Sequence, residues 1–192
     1  MSKRRPALSE LGRRTEEPPI AWLMKVALDR PKLISLAAGF TDNPSLPVDA
    51  TRELLDRILG SEKRGQSALQ YGTGAGDARL RDLTAGRIRE LDAADPGSAA
   101  HDAGRLMMTH GSQQFLYMVS EALFDAGDIV LVEDPTYFVY LGIAQSRGMR
   151  CRGVRMEADG IDLASLERRL EELKSAGELS RLKALYLVSY HQ

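Results

Sequence analysis

One cysteine, Cys151, one tryptophan and three histidines stand among the 192 residues, and each scarcity closes off a class of chemistry. A lone thiol forms no intrachain disulfide and no cysteine cluster for metal or redox work. His101, His110 and His191 lie too far apart in the chain for a local metal motif, so no metal ligands are expected. An excess of charge of either sign is also lacking: a formal net charge of -1 gives no electrostatic case for nucleic acid. The basic start (Lys3, Arg4, Arg5, Arg13, Arg14) is not followed by the apolar run of a signal peptide, and no stretch is long enough to span a membrane. These absences leave a chain expected in the cytoplasm, with a small molecule or a protein as its partner. What is present, 43% hydrophobic and 28% charged residues, suits one globular domain and a fraction of another.

Residues 1–19 hold three prolines and mixed charge with little to bury, and are expected to be a mobile arm. A segment of helices and loops is expected over 20–104. Ile20, Leu23, Met24, Ala27 and Leu28 mark one helix face after Pro19, and a short strand-like run follows over Leu33–Ala38. Pro47 and Asp49 open a further helix whose Leu54, Leu55, Ile58 and Leu59 are expected to face inward, with Gly60 as its stop. Leu69-Gln70-Tyr71-Gly72-Thr73-Gly74-Ala75-Gly76 invites a nucleotide-loop reading, but it has neither a buried strand before it nor the G-x-G-x-x-G spacing. A turn into the helix of Leu80, Leu83, Ile88 and Leu91 is the simpler account.

From residue 105 to 192 the pattern turns regular. Apolar runs at Leu106–Thr109, Ile129–Glu133, Met149–Val154 and Leu182–Val188 alternate with helical spacing at about 113–126, 136–147 and 162–175. Strand and helix in alternation predict an α/β layer with a largely parallel sheet and helices on both faces. Ligands of such sheets gather beyond the carboxyl ends of the strands, where His110-Gly111-Ser112-Gln113, Asp134-Pro135-Thr136-Tyr137 and Ser189-Tyr190-His191-Gln192 fall. Of these, Thr109-His110-Gly111-Ser112-Gln113-Gln114 opens a helix. Its unpaired amides, a glycine that admits close approach and a serine hydroxyl suit an anion such as a phosphate, and equally suit a plain N-cap. The run Leu185-Tyr186-Leu187-Val188 is apolar throughout, yet no helix follows it, so the sheet reads as ending at its own ligand edge.

Six segments in order resemble fold-type I pyridoxal-phosphate enzymes, the class I/II aminotransferases, and most closely those handling 2-aminoadipate, aromatic or branched-chain amino acids. They are Ile34-Ser35-Leu36-Ala37-Ala38-Gly39, Leu69-Gln70-Tyr71-Gly72, Gly76 with Leu80-Arg81, His110-Gly111-Ser112-Gln113-Gln114, Glu133-Asp134-Pro135-Thr136-Tyr137, and Tyr186-Leu187-Val188 leading to Gln192. The resemblance implies the large-domain sheet of that fold, truncated after a central strand, with pyridoxal 5′-phosphate as cofactor. It implies that Gly111, Ser112 and Gln113 hold the cofactor phosphate, that Tyr137 stacks on the pyridine ring, and that Gly39 lies near the substrate carboxylate. Tyr71 would reach the phosphate of a neighbouring subunit, which makes the expected assembly a homodimer. His110 stands where the family more often has a small residue.

The same resemblance marks what is missing. The family's Schiff-base lysine and the acidic partner of the pyridine nitrogen come later than Gln192, and none of Lys3, Lys25, Lys32, Lys63, Lys174 and Lys183 has the family's lysine context. The expectation is the N-terminal part of an aminotransferase, moving an amino group from an amino acid to a 2-oxo acid when complete and inactive alone. Two other readings stand beside it: the aminotransferase-like effector domain of a fused transcription regulator, against which 19 residues of arm leave no room for a DNA-binding domain, and a non-catalytic remnant that binds a partner or phosphate.

Overall fold

The computed structural model describes residues 7–34, 36, 41–95 and 97–190, so the expectations placed on Gly39, His191 and Gln192 and on half of the run 33–38 lie outside the described residues. The chain divides into two compact units, one made of residues 1–33 and 110–192 and the other of 34–109.

The first unit is built on strand β1 (Ile129–Asp134), whose first five residues are all buried. Its side chains alternate between two faces, as the pleat requires. Val130 and Val132 pack with Phe124, Tyr140, Ala144 and Met149, while Ile129 and Leu131 pack with Val154 and Leu173. Burial on both faces is what makes the run IVLV continuously apolar rather than alternating. β1 pairs in parallel with β2 (Arg150–Glu157) on one side and with β4 (Leu182–Tyr186) on the other, and a two-residue β3 (Gly160–Ile161) folds back antiparallel on β2.

Helix α7 (Phe138–Arg147) crosses from β1 to β2 and α8 (Leu163–Ser175) crosses from the β2–β3 hairpin to β4. Tyr140 and Ala144 of α7 belong to the first cluster and Leu173 of α8 to the second, so the two crossovers cover opposite faces. Successive right-handed crossovers that run in opposite directions along a sheet must do this. The chain therefore reverses its order at β1, and a crevice opens at the carboxyl end of β1 beside β4. Both helices carry local signals that fix their ends. Gly148, at φ 74°, closes α7 by donating its N–H to the Ala144 and Gln145 carbonyls. The expected N-cap Asp162 accepts from Ser165 N at 3.0 Å to open α8. Two short helices, α1 (Glu10–Arg14) and α2 (Pro19–Asp29), belong to this unit, as does α6 (Ser112–Leu123). The arm expected over 1–19 thus contains a helix, and Arg14 Nε donates to the Ser146 carbonyl at the end of α7 at 3.3 Å.

The second unit holds α3 (Val48–Leu59), α4 (Glu62–Leu69) and α5 (Ala78–Leu91). Gly60 follows α3 as expected, and Asp77 caps α5 by accepting from Leu80 N at 2.8 Å. Two expectations are corrected here. Leu54, Leu55, Ile58 and Leu59 do not face inward; all four are exposed, because α3 packs mainly on the short and polar α4. Leu106–Thr109 is not a strand. It is extended, but a strand exists only through a ladder, and it pairs with no strand among the described residues: Met108 N donates to Ala75 O at 3.0 Å and Leu106 N to Ala103 O at 3.2 Å, neither of which belongs to a sheet.

Candidate functional site

A cavity of about 640 Å³ lies at the crevice and is lined from three directions. Ser112, Phe115 and Leu116 come from the first turns of α6, Thr136, Tyr137 and Phe138 from the turn after β1, and Tyr186, Val188 and Tyr190 from the end of β4 and beyond it. Each direction follows from local sequence. Ser112 and Phe115 are three apart on a helix and so share a face. Tyr186 and Val188 are two apart across the end of β4 and so share a side, and Tyr190 joins them from the bend that follows.

At the start of α6, Gly111 is the N-cap, with φ 88° and ψ 169°. That region of the backbone map is essentially open to glycine alone. Gly111 offers no side chain to cap the helix, and a helix start presents amides suited to an acceptor from outside the helix. Gln114 instead folds back, its Oε1 accepting from His110 N at 2.6 Å and lying 3.1 Å from His110 Nδ1, which holds the two residues before Ser112 against the helix.

The opposite wall is aromatic and firm. Tyr186 stacks on Tyr140 with ring centroids 4.0 Å apart and planes 23° apart, and the rings of Tyr137 and Phe138 meet at 5.4 Å. Burial pushes the Tyr140 phenol above its ordinary 10.0, and burial first, then the neighbouring Tyr137, Tyr140 and Glu133, does the same to Tyr186. The folded chain thus holds these protons longer than the unfolded chain. Stability from them is complete below pH 10.0 and is lost as pH rises above it toward the folded-state values. An alkaline unfolding series followed by circular dichroism will show this loss, and Tyr140→Phe will flatten it. An unchanged slope in that variant would mean the stack does not govern alkaline stability.

Of the residues expected to form a site, the structure brings Ser112 and Tyr137 to one cavity. Gly111 and Gln113 flank Ser112 in the chain and are exposed. Tyr71 belongs to the other unit and is 99% exposed. Phe115, Tyr186 and Val188 were not foreseen as lining residues, although the spacings of three and two just described were the signal that could have found them.

A family model for aminotransferases of class I and II matches residues 31–191. The chain belongs to that family. Among curated aminotransferases, an aromatic-amino-acid aminotransferase of Thermococcus litoralis is 31% identical over 95% of this chain and 41% of its own length. A 2-aminoadipate transaminase of Thermus thermophilus is 31% identical over 93% of this chain and 40% of its own. The solved kynurenine aminotransferase of Pyrococcus horikoshii, determined with PMP, superposes with a TM-score of 0.80 at 27% identity, covering 95% of this chain and 42% of that one. Helix-turn-helix transcription regulators of Bacillus subtilis are more distant, at 24% and 22% identity. The chain therefore spans about two fifths of the aminotransferases it matches, and its sheet is part of the fold-type I large domain.

This family implies pyridoxal 5′-phosphate as its cofactor. The cavity fits such a group: an uncapped helix start beside the Ser112 hydroxyl suits its phosphate, and an aromatic wall suits a flat ring. In the same wall the Thr136 hydroxyl is buried without a hydrogen-bond partner among the described residues. A buried hydroxyl left in this state favours the arrival of a polar partner.

Proposed function

We propose that this chain is the cofactor-gripping part of a pyridoxal-phosphate-dependent aminotransferase that moves an amino group from an amino acid to a 2-oxo acid in amino acid metabolism. The reading rests on one observation above all: Ser112, at a glycine-opened helix start, and Tyr137, after the central strand, line a single cavity at the point where the sheet reverses its order. Gly111, Ser112 and Gln113 bind the phosphate through the α6 amides and their side chains. Tyr137 lies against the pyridine face, and its ring holds the plane of the cofactor. When bound, the cofactor supplies the electron sink for the chemistry at the substrate's α-carbon. This chain's residues bind and orient it.

The chain does not transaminate alone. Of the lysines among the described residues, Lys183 is the one on a strand of the sheet, and it lies near the start of β4, 4.0 Å from Asp128 Oδ2, at the end opposite the cavity. Residues 1–19 act as the arm, 20–104 as the substrate-side segment with Gly39 near the substrate carboxylate, and 105–192 as the first part of the cofactor-binding domain. The working form is a cytoplasmic homodimer in which Tyr71 serves the neighbouring subunit's site, which the full exposure of its ring supports. The effector-domain reading has less in its favour, because the chain is closer to aminotransferases than to the regulators.

Titration of the protein with pyridoxal 5′-phosphate, followed by absorbance and by quenching of tyrosine fluorescence, tests the reading. Saturable binding is expected, weakened about tenfold by Ser112→Ala, the loss of one hydrogen bond to a charged group. No binding by the unaltered chain would overturn it.

A further inference from the structure

Glu133 is one of the few charged residues in the interior, 4% exposed, on the last buried position of β1. Nothing in the cofactor reading uses it. Its place follows from the pleat: Leu131 and Glu133 share the α8 face, so its carboxylate lies at the carboxyl edge on the side away from Tyr140. There its Oε2 accepts from the backbone N–H of Val188 at 3.1 Å.

The position of that bond matters. Pairing of β4 with β1 ends at Tyr186, opposite Val132, and the backbone ladder does not reach the following residues. Yet those residues build one side of the cavity, since Val188 and Tyr190 both line it. A side-chain carboxylate thus takes over where the ladder stops. Glu133 also lines a smaller cavity of about 400 Å³ with Leu187, Val188 and Ser189, so its carboxylate touches the run from the face opposite to the cofactor.

We propose that Glu133 is a positioning residue for the cofactor cavity: its carboxylate clamps the Val188 amide and so holds the wall formed by Val188 and Tyr190. The effect on cofactor affinity rests on the function proposed above, whereas the clamp itself does not.

Hydrogen–deuterium exchange of the unaltered chain, Glu133→Ala and Glu133→Gln, with a pyridoxal 5′-phosphate titration of each, tests it. In Glu133→Ala, exchange over residues 187–190 is expected to rise and cofactor affinity to fall, each about tenfold, with β1 and β2 unchanged. Glu133→Gln, which keeps a carbonyl acceptor, is expected to restore most of both. Unchanged exchange over 187–190, a rise spread across β1 and β2, or unaltered affinity in a loosened Glu133→Ala would each overturn the proposal. If Glu133→Ala does not fold, Val188→Pro removes the donor instead and must loosen residues 189–190 in the same way. If the unaltered chain takes up no cofactor, the reading of the site fails, and exchange alone decides whether the clamp exists.

Discussion

Replacing Gly111 with alanine will weaken pyridoxal 5′-phosphate binding more than any other single-methyl change near the cavity. The reason is backbone shape. At φ 88° and ψ 169° an L side chain costs about 1–3 kcal/mol, although nothing lies within 4 Å of where the new Cβ would stand. With no clash to absorb, the strain is relieved by turning the peptide planes on either side, and those planes set the aim of the first α6 amides. Affinity should fall by about tenfold or more, while the melting temperature drops by only a few degrees for a chain of this size. A Gly111→Ala protein that binds as the unaltered chain does would show that the amides of α6 do not hold the phosphate.

Replacing Leu131 with alanine will unfold a large share of the first unit at 37 °C. Leu131 is 2% exposed on the central strand and packs with Ile129, Val154 and Leu173. Truncation of such a leucine costs about 2–5 kcal/mol, a large fraction of what a domain has in reserve. Leu54→Ala is the matched control, because that leucine is 55% exposed on α3, and its cost should stay within about 0.5 kcal/mol. Urea titrations monitored by circular dichroism measure both. Equal losses in the two variants would contradict the assignment of the core to β1.

Much of this was legible in the sequence, for definite reasons. The strands β1, β2 and β4 and the helices α6, α7 and α8 announce themselves through runs and spacings that local sequence alone specifies, and Asp162 even marks its own cap. Ser112 and Tyr137 could be placed at the carboxyl edge because strand direction follows from the alternation of elements. What could not be read is which strands are neighbours. The lining by Tyr186 and Val188 depends on β4 lying beside β1, a long-range fact with no local signature. The short α4 escaped notice because Glu62-Lys63-Arg64-Gly65-Gln66-Ser67 has no apolar period. Leu106–Thr109 shows the converse failure: it has the composition of a strand, but strand formation is decided by a partner. The leucines of α3 have an amphipathic spacing that predicts a face to bury without saying what covers it.

The order of the strands carries a consequence for how the molecule is made. Ile129 pairs with Leu182 as well as with Arg150, and the second of these contacts closes long before the first during synthesis. While the chain emerges from the ribosome, β1, α7 and β2 can assemble on their own, leaving one flank of β1 bare. Only when Val188 and Tyr190 have cleared the exit tunnel does the crevice gain its second bank, so the cavity takes shape later than the β1–α7–β2 layer that carries Tyr137. A nascent chain stalled anywhere before that point would carry Ser112 and Tyr137 and still have no place to put a ligand.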